Sequence, residues 1–224
     1  MCAYCGERPM ETRDHVVACG FFPEPLPSDM ITVPCCGACS ESFQKDEEYV
    51  RTLIVMSHDV CQASDDALKQ LVGPVTRSFA RPESAGLLNA MLDVSKPVEL
   101  FSSGGIFLGD TRAIPMDEGR FTNVASKIVR GLHFYETGRR LGSDYVVKVN
   151  VVATDYEQAI RILKGQEVLW SKPKAIGDKV FQYSWAHMSS DTGLGVWLLE
   201  FYGVFDFLVL TLSPEAQKKT AQMG

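Results

Sequence analysis

The sequence predicts an α+β protein: a zinc-braced N-terminal module, then helices, then a C-terminal antiparallel sheet with a packed helix. Three observations carry this. Cys2-x-x-Cys5 and Cys36-Gly37-Ala38-Cys39 are two pairs at metal-site spacing, and two such turns can present four thiolates to one tetrahedral zinc. Apolar residues recur at three- and four-residue intervals through 43–54, 87–92 and 124–135, which is the helical period. From residue 145 onward, β-branched and aromatic residues gather in short alternating runs, which is the habit of strands.

Taken in order, residues 12–18 read as a short strand and 31–33 as its partner. Pro23, Pro25 and Pro27 stiffen the link between them toward an extended path. The pattern turns helical at Ser40, whose hydroxyl can cap the helix, and Asp46, Glu47 and Glu48 fall on or near its outer face. A second helix is expected over 64–71, stopped by Gly73-Pro74, and a third over 82–92. A soft boundary follows at Ser95-Lys96-Pro97. The division is then 1–57 for the zinc module, 58–95 for a helical connector and 96–224 for an α+β domain of unassigned role.

In that last region 121–137 is the strongest helix, with Val124, Ile128, Leu132 and Tyr135 on one stripe and Gly138 where it ends. Gly131 in mid-helix costs about 1 kcal/mol relative to alanine, a sign of close packing against a neighbour. Strands are expected at 145–152, 168–170, 180–187, 196–202 and 204–210, with a short helix at 155–163. Trp170, Trp185, Trp197 and the run Phe201-Tyr202-x-x-Phe205 are expected to fill the sheet core. Nucleobase stacking on that sheet is the alternative.

The 224 residues are 46% apolar and 22% charged, ordinary for a globular chain. No apolar run follows a basic start, so no signal peptide is expected, and the longest apolar stretch, 204–212, is too short to span a bilayer. Seven cysteines, four of them in metal-spaced pairs, suit a reducing compartment, and the expected location is the cytoplasm. A net charge of −6 opposes indiscriminate nucleic-acid binding. Residues 127–179 carry ten Lys or Arg against six acids, so any grip on DNA is expected there. No membrane partner is expected; a homodimer or a protein partner would use the C-terminal domain.

Asp14-His15 lies inside the loop that the four cysteines close. A neutral imidazole, with a pKa of about 6.5, suits abstraction of a proton from water near neutral pH. On a strand, Asp14 and His15 point to opposite faces. Cys35 competes with Cys36 as a ligand, but the spacing of Cys36 to Cys39 repeats that of the first pair. Cys19, Cys35 and Cys61 are then expected as buried thiols. A redox role for one Cys-x-x-Cys is the other reading, although no strand-to-helix pattern of the thioredoxin kind surrounds either pair. His133, with Arg130, Arg139 and Arg140, could face phosphate, but a solvated helix end is the favoured reading.

This order of parts resembles the HNH endonucleases, or ββα-metal nucleases, in the subgroup braced by a four-cysteine zinc. The likeness covers residues 2–51, including the run Phe43-Gln44-Lys45-Asp46-Glu47-Glu48-Tyr49. It implies that Cys2, Cys5, Cys36 and Cys39 hold a structural Zn2+. It further implies that Asp14 binds a catalytic Mg2+ or Mn2+ and that His15 activates water to hydrolyse DNA phosphodiesters. Where that family commonly has a metal-binding Asn after the last cysteine, this chain has Ser40, a shorter and poorer ligand. Asp29 stands where the family's second strand usually begins with Asn, and it reads as a turn residue or as an acid near the metal. The alternative is a catalytically degenerate zinc-binding adaptor or nucleic-acid-binding module acting through its C-terminal domain.

Overall fold

β1 (Thr12–His15) and β2 (Thr32–Cys35) pair antiparallel, with Asp14 opposite Val33 and His15 opposite Thr32. The computed structural model describes residues 1–57, 66–102, 104–151, 169–178, 180–188, 191–203 and 205–221. The expected helix at 155–163, His58 and Cys61 lie outside the described residues. β1 is shorter than expected because the chain turns at a single 3-10 turn, Cys19–Phe21. One further bond, Val16 N–H to Ile31 O, extends the pairing past His15.

α1 (Gly37–Met56) starts on Cys36, not Ser40: Cys36 is the extended N-cap residue, and Ser40 N–H already bonds back to its carbonyl. Starting the helix on a cysteine aims the second pair of thiols back at the first. α2 (Asp66–Ser78) runs straight through Gly73-Pro74, where the sequence suggested a stop. Proline removes one helical donor, but Leu71 and Val75 on either side of it are buried, and their packing holds the turn. α3 (Pro82–Val94) follows. Next comes the hairpin of β3 (Lys96–Phe101) and β4 (Phe107–Ala113), which belongs to neither of the other sheets.

α4 (Glu118–Thr137) is the middle layer of the molecule. Asp117 caps it by accepting from Arg120 N–H, and Gly138 closes it in the left-handed region at φ 67°. One of its faces meets the N-terminal module, where a Cβ on Gly131 would lie 2.8 Å from a methyl of Val16. The close approach read from Gly131 is therefore an approach to the segment just after β1. The other face meets a six-stranded antiparallel sheet made of β5 (Val146–Val151), β6 (Leu169–Trp170), β7 (Lys174–Ile176), β8 (Phe181–Met188), β9 (Asp191–Phe201) and β10 (Phe205–Leu212). The order is β5-β10-β9-β8, with β6 and β7 pairing one after the other along the outer edge of β8. Phe121 packs on Phe205 and Phe207, and His133 lies edge-on to Trp197. His133 is thus buried, which corrects the reading of a solvated helix end for that residue, whereas Arg139 and Arg140 beyond it are exposed. α5 (Pro214–Ala221) closes the described chain.

Trp197 and Phe201 fill the core as expected, whereas Trp170 and Trp185 are half-buried. One apolar cluster runs from Val16, Phe21 and Ile54 through Ile128 and Leu132 to Trp197 and Phe201. The proline-rich segment between β1 and β2 is tied to the sheet at two points. Tyr202 O–H donates to Phe21 O at 2.5 Å, and Gly177 N–H donates to the Asp29 carboxylate at 3.2 Å. Asp29 therefore serves the turn that follows β7. No described helix is long and apolar enough to cross a membrane.

Candidate metal centre and the lysine beside it

The sulfurs of Cys2, Cys5, Cys36 and Cys39 all lie within 4.8 Å of one another, and those of Cys5 and Cys36 are 3.9 Å apart. A tetrahedral zinc with Zn–S bonds of about 2.3 Å needs sulfurs about 3.8 Å apart, so the donor set and its size fit one structural ion such as zinc. Cys2 and Cys36 are fully buried, while Cys5 and Cys39 reach the surface. Cys35 is not in the group. Its Sγ donates to Cys36 O at 3.2 Å, and burial pushes its thiol up to about 12.

The environment of the four thiols suits a cation. Burial alone would raise the Cys2 thiol, but N–H groups of Cys5, Cys36 and Tyr4 bring it down to about 6. Cys39 goes the other way, raised by burial and then by the neighbouring thiols. Crowded thiols cannot all ionise side by side, and a divalent cation at their centre relieves that conflict. Two arginines stand outside them: Arg140 Nη1 donates to Cys5 O at 2.5 Å, and the Cys36 side chain holds the Arg8 guanidinium above its usual range.

Beside this centre lies a second cluster. Tyr4 O–H donates to Asp14 Oδ2 at 2.8 Å. Lys127, from α4, sits 2.9 Å from the same oxygen and 2.5 Å from Glu47 Oε1, and it donates to His15 O at 2.8 Å. Three neighbours match the three protons of an ammonium. Lys127 is 1% exposed. Glu47 thus faces inward toward α4, not outward as the acidic run 46–48 suggested. His15 points elsewhere: its Nδ1 lies 3.3 Å from Cys19 Sγ, and the residue is partly exposed. Cys19 is accordingly a partner for the imidazole and only half-buried. Ser40 sits in the first turn of α1, and no hydrogen bond joins it to Asp14.

No family model matches the chain, and no curated protein or solved structure matches it either. What the site can do therefore rests on its own geometry. Four thiols can brace the first fifty residues. Asp14, a residue suited to a second cation, already has one in the form of a lysine.

Tyr4, Glu47 and Lys127 were missed by sequence reasoning. One signal was present: Lys127 falls beside Val124, Ile128 and Gly131 on the face of α4 that carries its apolar stripe, and a lysine there requires a buried anion. A cleft of about 350 Å3 opens on the other side of Lys127, between Cys5, Cys39, Phe43, Asn123 and Arg130. Arg130 does not project from it as a phosphate clamp. Its guanidinium is spent on Leu141 O, Gly142 O and Tyr145 O.

Proposed function

We propose that this chain is a zinc-braced binding protein built on an HNH-like arrangement whose divalent-ion position is held by its own lysine. The observation that carries the reading is the Lys127 ammonium at 2.9 Å from Asp14 and 2.5 Å from Glu47. A Mg2+ or Mn2+ ion would have to displace a buried cation that is already paired with two carboxylates, and Ser40 offers it little in return. On this reading the zinc and the lysine do one job, fixing β1, β2 and α1 against α4. Contacts with other macromolecules fall to the α+β region after residue 95.

One observation favours the second reading, an HNH-type nuclease acting on DNA. His15 is a partly exposed residue whose Nδ1 lies against Cys19 Sγ, an arrangement compatible with a general base. Incubation of the purified protein with supercoiled plasmid and Mg2+ or Mn2+, beside His15→Ala, separates the two. The binding reading expects no nicking that depends on His15 and no Mn2+ bound at Asp14. Nicking that His15→Ala abolishes installs the nuclease in its place.

A further inference from the structure

Among the described residues the β3–β4 hairpin pairs with no further strand, and a two-stranded hairpin is marginal in water without a further strand or a packed surface. Along it Phe101, Ile106, Phe107 and Leu108 are at least half-exposed, and neither strand joins the large sheet. Such an edge is a template for another strand unless something blunts it.

The two edges of the hairpin are not equivalent. Pro97 lies opposite Arg112, and a proline in a sheet turns its missing N–H outward. The β3 edge is therefore blocked at Pro97. By the alternation of an antiparallel pair, Asp110 and Arg112 are the β4 residues whose backbone N–H and C=O face outward. These two residues carry opposite charges and flank Thr111.

We propose that β4 pairs with β4 of a second copy of this chain, antiparallel, with Thr111 on the twofold axis. That register places Asp110 opposite the partner's Arg112, and Arg112 opposite the partner's Asp110. Sliding by two residues in either direction places Asp110 on the partner's Asp110 or Arg112 on the partner's Arg112, so like charges reject both neighbouring registers. Nε and one amino group of Arg112 hold Ser95, which leaves its other amino group for the partner. The same arrangement brings the apolar tip of each hairpin alongside the base of the other. There Met56, Ile114 and Met116 line an apolar groove of about 540 Å3. The inference is independent of the reading of Asp14 and Lys127.

Light scattering coupled to size-exclusion chromatography tests it on the whole chain. The wild type is expected as a dimer. Asp110→Arg and Arg112→Asp, each alone, set like charges across the axis twice, and each should weaken association by about tenfold or more. An equimolar mixture of the two variants restores opposite charges at both positions, so the mixture should dimerise where neither variant does alone. Unchanged zinc content in both variants shows that the fold survives. A monomeric wild type gives the edge to a different protein and overturns the proposal. A dimer indifferent to both substitutions, or a mixture that stays monomeric, overturns it as well.

Discussion

Lys127 is the residue on which the first half and the second half of the chain depend together. Its ammonium is shared by Asp14 and Glu47 at 1% exposure, and removing one partner of a buried ion pair costs about 3–5 kcal/mol. Lys127→Met keeps most of the side-chain volume but strands two carboxylates. We expect urea unfolding to show a loss of that size, with zinc content unchanged. A second residue-scale prediction concerns Asp206, which faces Glu200 across β9 and β10. Burial and then Glu200 hold its carboxyl above the ordinary 3.8. A carboxyl with a raised folded pKa favours the fold when protonated, so its penalty is present at neutral pH and fades as pH falls toward about 3.8. Asp206→Asn should therefore raise the Tm at pH 7, and the two proteins should converge once both carboxyls are protonated in acid.

Among the elements, α4 shows most clearly what could be read from the residues beforehand. Its length, its Gly138 ending and the crowding at Gly131 all follow from local pattern, because periodicity and a left-handed cap are written within a few residues. Its partners do not follow. Lys127 meets His15 across 112 positions of sequence, and nothing near Lys127 names the acid that awaits it. The cysteine pairs were legible because metal spacing is a local pattern too, whereas Cys36 as the N-cap and Glu47 as an inward-facing acid depend on how α1 rolls against α4. Pro74 misled because a local stop signal was overridden by packing around α2. Gly131→Ala tests the crowding. Alanine gains about 1 kcal/mol in a bare helix, but here its Cβ would meet Val16 methyls at 2.8 and 2.9 Å, and overpacking costs about 1–3 kcal/mol. Thermal melting should show a net loss.

At the scale of the whole molecule, the apolar cluster passes from the N-terminal module through α4 into the sheet without a break. Removal of the metal should then be felt far from the sulfurs. A chelator strong enough to strip zinc is expected to lower the Tm of the entire chain in one transition, with the near-UV signal of the buried Trp197 lost at the same temperature as the far-UV helix signal. Two separated transitions would mean that the halves fold independently. Residues 1–57 produced alone would lack the cover that α4 gives to Val16 and should retain zinc less tightly than the full chain, as competition with a chromophoric chelator would measure.

The bonds from Tyr202 to Phe21 and from Gly177 to Asp29 turn the link between β1 and β2 into a bridle strapped to two bends of the sheet. The link is thereby restrained at Phe21 and at Asp29, six and fourteen residues beyond His15 in the chain.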